Sequence, residues 1–195
     1  RLHPERSQFL WDDKNRDVFT KVSEKCYLPA IAMFTDLVSR YGGFKITFSM
    51  SGTFLEQAEL YQPDVIKALQ GLVDAGRESR QVELLDETYY HSLASLFADP
   101  QKQEFRDQVT LHRSQIHKLF GVLPTSFKNT ELMYNNSIAV AIADMGYLAI
   151  LCEKRDDMFV ENSGPISSNA IFRAKGSNLI VIPRNRELSD EIAFR

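Results

Sequence analysis

Polar side chains that could do acid, base or nucleophilic chemistry follow several short apolar runs of this 195-residue chain. The most relevant are Met50–Gly52, Asp86, Glu87, His91, Glu131, Glu153 and Arg184–Arg186. A carboxylate can attack a carbon centre or carry a proton, and a histidine can exchange a proton near neutral pH. Their repeated position after apolar runs indicates one site assembled from several elements.

The apolar runs themselves are typical of strands, and helical patterns separate them. Strand-like runs occupy residues 44–48, 82–85, 125–130, 147–152 and 179–182. Helical spacing covers residues 15–41 with a break at Pro29, 55–75 with Pro63 opening the second half, 103–120 and 137–145. This alternation predicts an α/β fold with parallel strands joined by right-handed crossovers.

Glycine patterns decide between the two common folds with this alternation. The chain contains neither Gly-x-Gly-x-x-Gly nor Gly-x-x-x-x-Gly-Lys, the phosphate-binding patterns of open doubly wound sheets. In a β/α barrel, the residues that follow the strands meet at the C-terminal face, where catalytic groups converge. The sequence therefore favours a barrel over an open sheet.

Composition and charge exclude several classes of protein. The 23 basic and 26 acidic residues give a net charge of −3 without a basic block, which argues against a nucleic-acid partner. Cys26 and Cys152 lack metal-ligand spacing, and His112 and His117, five residues apart, do not share a helix face, so we predict no metal. No membrane span or signal peptide is recognisable, and we expect a cytoplasmic protein with reduced thiols.

Two carboxylates have competing interpretations from pattern alone. Glu131 ends a strand-like run, where a glutamate is usually a solvated loop residue. Glu83 alternates with Val82 and Leu84, so it would point away from them, possibly into a barrel interior where it needs a partner. Asp86 and Glu87 could titrate with Glu83 as a cluster, but capping of the following turn is the favoured interpretation.

Five sequence blocks resemble the archaeal and bacterial α-amylases of glycoside hydrolase family 57. In chain order they are NRDVFTKVSEKCYLPA (15–30), FSMSGTFLEQ (48–57), QVELLDETYYHSLASLF (81–97), FKNTELMYNNSIAVAIADMG (127–146) and LSDEIAFR (188–195). The resemblance implies that residues 1–195 form a partial catalytic domain, an incomplete (β/α)7 TIM-like barrel truncated at both ends. It further implies a retaining mechanism on α-1,4-glucans such as starch, glycogen and maltodextrins, without metal or cofactor.

The resemblance assigns roles to individual residues. Glu131, in Asn129-Thr130-Glu131, matches the family nucleophile, while Glu83 and His91 match residues expected near the sugar. From the residues alone, Trp11 is a candidate stacking platform for a sugar ring, and Asp190 either lines the cleft or caps the next helix. The family's His-Gln-Pro block is absent, and the block with the acid/base aspartate is expected beyond Arg195.

Three alternative functions remain beside retaining hydrolysis. Transfer of the covalent intermediate to a sugar hydroxyl would make a 4-α-glucanotransferase on the same barrel. A non-catalytic glucan-binding relative is consistent with the unseen second carboxylate. A deacetylase-like metalloenzyme is disfavoured, because its His-x-x-x-His pair and Asp-Asp dyad are missing. The oligomeric state is not predictable from the sequence.

Overall fold

A computed structural model describes residues 12–155, 158–160 and 164–194, so Trp11 lies outside the described residues. The chain divides into two compact units. The first holds the residues up to Phe48 together with Thr53–Glu83, and the second holds Ser49–Gly52 together with the chain from Leu84 onward. Each unit is described by itself below.

The first unit is mainly helical. Its elements are α1 (Asp12–Val22), a π-helical turn (Ser23–Tyr27), α2 (Leu28–Arg40), β1 (Ile46–Phe48), α3 (Gly52–Tyr61), α4 (Pro63–Ala75) and β2 (Val82–Leu84). Helix α2 packs on α4, and β1 pairs with β2. The Gln81 amide donates to the carbonyl oxygens of Val38, Tyr41 and Phe44, which fastens the end of α2 to the start of β2.

The second unit is a sheet with helices. After a 3₁₀ turn (Ala94–Leu96), its elements are α5 (Gln103–Phe120), β3 (Ser126–Lys128), a 3₁₀ turn (Thr130–Leu132), α6 (Asn136–Asp144), β4 (Ala149–Cys152), β5 (Phe159–Val160), β6 (Gly164–Pro165), β7 (Phe172–Arg173), β8 (Ile180–Pro183) and α7 (Arg186–Phe194). The main sheet has the order β3-β4-β8-β7. Asp86 adds a parallel bridge to Phe127 beside β3.

Strands β3, β4 and β8 run parallel, and their buried side chains include Phe127 of β3, Ile150 of β4 and Val181 of β8. Phe127 pairs with Ile150, and Ile150 pairs with Val181, so the three central side chains lie in register. Ile138 and Ile142 of α6 belong to the same core, and each is fully buried. The parallel arrangement directs the ends of β3, β4 and β8 toward the same edge of the sheet.

The predicted α/β fold with parallel strands is confirmed, and most predicted elements occur within one to three residues of their expected limits. The sequence did not predict three further strands, and these are antiparallel: β7 pairs with β8, and β5 with β6. These extra strands have two residues each, too few for an alternating pattern to be visible. The (β/α)7 count and the truncation stay predictions. None of the described helices is long and apolar enough to span a membrane.

Candidate functional site

Glu131 lies on a turn that starts just after β3. The buried Asn129 holds this turn, because its side-chain amide donates to Ser95 Oγ at 2.9 Å and to the Met133 carbonyl oxygen at 3.0 Å. Glu131 has φ 54° and ψ 24°, and Leu132 also has φ 54°. Two successive non-glycine residues in the left-handed region are unusual, and such conformations concentrate at functional sites.

A second turn, Thr88–Ser92, lies beside the first. It closes through the His91 amide, which donates to the Thr88 carbonyl at 3.0 Å, and the Ser92 amide, which donates to Thr88 Oγ1 at 3.0 Å. His91 is also left-handed, with φ 52°. The hydroxyls of Thr88 and Thr130 are hydrogen-bonded at 2.8 Å, so the two turns are joined below the side chains that they present.

The two turns bring three ionisable side chains into one row. His91 Nε2 is 3.5 Å from Glu131 Oε1, and His91 Nδ1 is 3.4 Å from Glu87 Oε1. The exposed fractions of the side chains are 72% for Glu131, 45% for His91 and 3% for Glu87. A ligand arriving from solvent can therefore reach Glu131 and His91, whereas Glu87 is covered.

The buried Glu87 carboxylate is held from its other side. Ser49 Oγ donates a hydrogen bond to Glu87 Oε2, and Lys128 Nζ lies 3.9 Å from the same oxygen. A buried carboxylate requires such partners, since it has lost its hydration. Glu87 thereby links the segment after β1, the end of β3 and the His91 turn within the second unit.

A second polar network lies in the core next to this row. His112 Nδ1 is 2.8 Å from Asp86 Oδ1, and its Nε2 is 2.7 Å from the Met50 carbonyl oxygen. Tyr147 donates its hydroxyl to Asp86 Oδ2 at 2.7 Å. Burial, together with the Asp86 carboxylate, raises the pKa of Tyr147 far above its ordinary value. Since Asp86 and His112 are fully buried, this network anchors the start of the Glu87 segment.

The structure places the other predicted site residues as follows. Glu83 lies on β2 of the first unit with an exposed side chain, and its contact with the sugar stays a prediction. Asp190 lies inside α7 and pairs with Arg184. Of the two roles considered for Asp190, capping of α7 belongs to Asn185, whose Oδ1 accepts from the Leu188 amide at 3.0 Å, and lining of the cleft stays a prediction. The predicted stacking role of Trp11 falls outside the described residues.

The sequence pattern favours Asp86 and Glu87 as caps of the following turn. The structure contradicts this prediction. Asp86 binds His112 and Tyr147, while the turn is capped by Thr88 Oγ1. Sequence reasoning therefore missed Glu87 as a site residue. The four-residue spacing of Glu87 and His91 gave no signal, because this segment is a turn with a left-handed residue and not a helix.

The described residues contain no recognisable metal centre. Among the described residues, no group of three or more histidine, cysteine, aspartate and glutamate side chains could hold a metal ion. His112 is buried against Asp86, while His117 on the same helix is exposed, as expected for residues on different helix faces. Cys152 is buried, and burial together with Glu153 raises its pKa to about 11.

A polar cavity of about 630 Å³ adjoins the ends of β4 and β8. Its lining consists of Lys154, Arg155, Ser168, Asn169, Arg184, Asn185, Arg186 and Glu187. Glu131 is not part of this lining, but the Glu153 amide donates to the Leu132 carbonyl at 2.9 Å, so the cavity rim is tied to the Glu131 turn. The volume is within the range of small-molecule sites.

An exposed carboxylate beside a histidine, at the strand ends of a parallel sheet, is the arrangement of an enzyme site in an α/β protein. Residues 2–195 match the family model "Glycosyl hydrolase family 57". The chain belongs to glycosyl hydrolase family 57, a family of glycosidase-type enzymes.

Individual relatives agree with this membership. A protein of Methanocaldococcus jannaschii named "Putative alpha-amylase" is 38% identical over 181 residues, which cover 93% of this chain and 36% of the relative. The chain thus spans about a third of that protein's length. The structure is also similar to a 4-alpha-glucanotransferase from Thermococcus litoralis, with a TM-score of 0.69 and 20% identity over 91% of this chain and 26% of the other.

The structure is also similar to a branching enzyme of the same family from Thermococcus kodakaraensis. Its TM-score is 0.69 at 15% identity, and the alignment covers 91% of this chain and 44% of the other. At such low identities the two solved structures show a shared fold. The predicted family resemblance is confirmed by the family match and by the curated relative.

Proposed function

We propose that these residues carry the nucleophile half of a retaining catalytic site that acts on α-1,4-glucans, with Glu131 as the nucleophile. The observation that carries the proposal is the exposed Glu131 carboxylate, which projects from a left-handed turn 3.5 Å from His91. Family membership and the relatives named for α-amylase, glucanotransferase and branching activity support a glucan as the substrate.

The proposed reaction has two steps. A Glu131 oxygen attacks the anomeric carbon, the glycosidic C–O bond breaks, and the leaving oxygen takes a proton from a second carboxyl group. In the second step the deprotonated group takes a proton from water or a sugar hydroxyl, whose oxygen replaces Glu131 at the anomeric carbon. We assign the proton donor to the part of the enzyme that follows these 195 residues, as the family resemblance implies. Water as acceptor gives hydrolysis, and a sugar acceptor gives transfer.

The surroundings of Glu131 suit this role. His91, whose Nε2 lies 3.5 Å from Glu131 Oε1, can contact a hydroxyl of the bound sugar, and it is exposed enough to do so. The cavity at the ends of β4 and β8 is polar, as a site for a hydroxylated chain must be, and we propose that neighbouring sugar rings enter it. Arg184, which pairs with Glu153 and Asp190, would brace this cavity.

Trapping the covalent intermediate tests the nucleophile. The full-length enzyme and its Glu131→Gln variant are incubated with an activated aryl α-maltoside, and the peptides are examined by mass spectrometry. We expect a glycosyl adduct on the peptide containing Glu131 and loss of starch cleavage in the variant, because glutamine keeps the size but removes the attacking charge. Asp144→Asn, which removes an exposed ion pair with Arg106, is the matched control and should stay active.

The remaining outcomes separate the alternatives. Full activity of Glu131→Gln would eliminate Glu131 as the nucleophile. Glucan binding without any turnover in the full-length protein would support the non-catalytic relative instead. Product analysis on maltodextrins distinguishes hydrolysis, which gives shorter chains only, from transfer, which also gives longer ones.

The 195 residues alone should not cleave starch if the acid lies outside them. General acid assistance contributes about 10²- to 10⁴-fold in rate, so nucleophile and substrate alone would form the glycosyl-enzyme only slowly, from substrates with good leaving groups. Starch cleavage by this segment at the rate of the full-length enzyme would contradict the assignment and direct the search for the acid to the solvent-accessible carboxylates Glu83 and Asp190.

A further inference from the structure

We propose that Glu87 is a positioning residue, which fixes the tautomer and the orientation of His91 so that Nε2 of the ring faces Glu131. The catalytic consequence rests on the proposed function of Glu131. The contact between Glu87 and His91 does not, because it is a property of the folded second unit. Sequence similarity assigns Glu87 no role, and the sequence pattern alone favoured a turn cap.

The hydrogen-bond chemistry of a carboxylate carries the first step. An ionised carboxylate can only accept hydrogen bonds, so the Nδ1 atom that faces Glu87 Oε1 at 3.4 Å must carry the hydrogen. Glu131, which faces Nε2, can also only accept, but its carboxylate is 72% exposed and hydrated, whereas Glu87 is buried and has lost its hydration. The single hydrogen of the neutral ring therefore stays on Nδ1, and Nε2 presents a lone pair. Glu87 thus selects which nitrogen of His91 is available to Glu131 and to the substrate, as a partner that orients a functional histidine does.

The surroundings of Glu87 show why it can act as a rigid support. Its second oxygen, Oε2, accepts from the Ser49 hydroxyl and lies 3.9 Å from the Lys128 ammonium, so both ends of the carboxylate are engaged. The side chain is 3% exposed, and a sugar cannot reach it. Glu87 is therefore placed to act through His91 rather than on the substrate.

His91 needs such a support. Its backbone is left-handed, with φ 52°, and 45% of its side chain is exposed, so the turn alone leaves the ring free to rotate. Glu87 Oε1 lies on one side of the ring and Glu131 Oε1 on the other, at 3.4 and 3.5 Å. Loss of Glu87 would release the ring and with it the orientation of the Glu131 oxygen that attacks the sugar.

The direct test reads the tautomer and needs neither substrate nor turnover. Long-range ¹H–¹⁵N spectra of the full-length protein, with the His91 signals assigned by their absence in His91→Gln, report which nitrogen of the neutral ring is protonated. We expect the Nδ1–H form in the wild type, its retention in large part in Glu87→Gln, whose amide oxygen can still accept, and a gain of the Nε2–H form in Glu87→Leu. A wild-type ring protonated on Nε2, or an unchanged tautomer in Glu87→Leu, overturns the proposal.

A double-mutant cycle on the full-length enzyme tests the functional consequence. We expect Glu87→Ala to lower kcat/KM by about 10- to 100-fold, the loss typical of partners that orient a functional histidine. In a His91→Gln background the same change should cost less than about threefold, because residues acting as one unit are not additive. Glu87→Gln should recover most of the activity, and Asp144→Asn is the control.

The outcomes separate this inference from the proposed function. Equal losses from Glu87→Ala in both backgrounds would show that Glu87 does not act through His91. If Glu131→Gln stays active while the His91 tautomer follows Glu87 as expected, the proposed nucleophile is wrong and the positioning contact still holds.

Discussion

At the scale of residues, a buried carboxylate network stabilises the segment that carries the site. Tyr147 donates to Asp86 Oδ2, and His112 binds the other Asp86 oxygen. On the other side of the ring, Nε2 of His112 lies 2.7 Å from the Met50 carbonyl oxygen. Breaking one member of such a buried set leaves an uncompensated polar group, which costs more than the intact bond contributes.

Removing the Tyr147 hydroxyl tests the network. Tyr147→Phe should lower the free energy of unfolding by about 1.5 to 3 kcal/mol, the range for a hydrogen bond to a charged group. Urea unfolding of the variant measures the loss. Tyr134→Phe is the matched control, because the structure shows no hydrogen bond of the Tyr134 hydroxyl among the described residues, and it should change stability by much less. Equal effects of the two substitutions would contradict the assigned role of the Tyr147–Asp86 bond.

The buried thiol of Cys152 should lower the stability of the folded protein in alkaline solution. Burial and the neighbouring Glu153 raise its pKa from 9.0 to about 11. Below pH 9 the thiol is protonated in the folded and in the unfolded state, so it does not change the free energy of unfolding. Between pH 9 and 11 only the unfolded chain releases the proton, which favours unfolding as the pH rises.

The size of this effect follows from the shift. Between pH 8 and 10.5, the thiol should remove about 2 kcal/mol of stability, at 1.36 kcal/mol per pKa unit. Urea unfolding at both pH values should show a smaller loss for Cys152→Ala than for the wild type, since Tyr147 affects both proteins equally. Cys26→Ser, at an exposed thiol, should behave as the wild type. Identical pH dependence of Cys152→Ala and the wild type would refute the shift.

At the scale of elements, the sequence predicted those with many periodic positions. The limits of α5 agree with the prediction, because Phe105, Val109 and Ile116 recur at helical spacing and are fully buried, and Gly121 follows. Strand β7 was missed because two residues show no alternation, and α7 because none of its residues is buried. A periodic apolar pattern therefore predicts only those helices and strands that are stabilised by burying apolar side chains.

The candidate site was predictable in the same uneven way. Glu131 and His91 were found because their sequence blocks resemble a family, and the structure brings them within 3.5 Å. The row with Glu87 was not found, since it depends on the left-handed backbone of His91 and Glu131. No polar or apolar periodicity encodes such a conformation in a residue other than glycine.

Substitution of glycine by alanine should have opposite effects on stability at Gly121 and Gly71. Gly121 ends α5 in the left-handed region, with φ 65°, where its amide donates to the His117 carbonyl. Gly71 lies in the interior of α4 on its exposed side. A Cβ atom would meet no other atom within 4 Å at either position, so the backbone alone decides. We expect Gly121→Ala to destabilise by about 1 to 2 kcal/mol and Gly71→Ala to stabilise by about 0.5 to 1 kcal/mol.

Thermal and urea unfolding of the two alanine variants provide the measurement, and each serves as the control for the other. A stabilising Gly121→Ala would mean that α5 does not end in a left-handed residue. A destabilising Gly71→Ala would place this residue outside a helix interior.

At the scale of the whole molecule, large apolar side chains are exposed on the second unit near its last elements. They are Ile180 and Ile182 of β8 and Leu188, Ile192 and Phe194 of α7. Leu188 and Ile192 are one turn apart and share a helix face, and Ile192 is 86% exposed. Single exposed apolar residues are ordinary, but an exposed apolar face of a helix, such as that of α7, is suited to association.

This surface predicts self-association of the 195-residue chain. We expect sedimentation velocity to show concentration-dependent dimers or larger species, because burial of apolar surface stabilises contact at about 25 cal/mol per Å². Ile192→Lys combined with Phe194→Lys should shift the chain toward the monomer, since association would then bury two unpaired charges. Leu60→Lys, at a 66% exposed position of α3 in the first unit, is the control and should leave association unchanged. A wild-type chain that stays monomeric at every concentration, or a Leu60→Lys variant that dissociates as fully as the double variant, would show that the α7 face does not drive association.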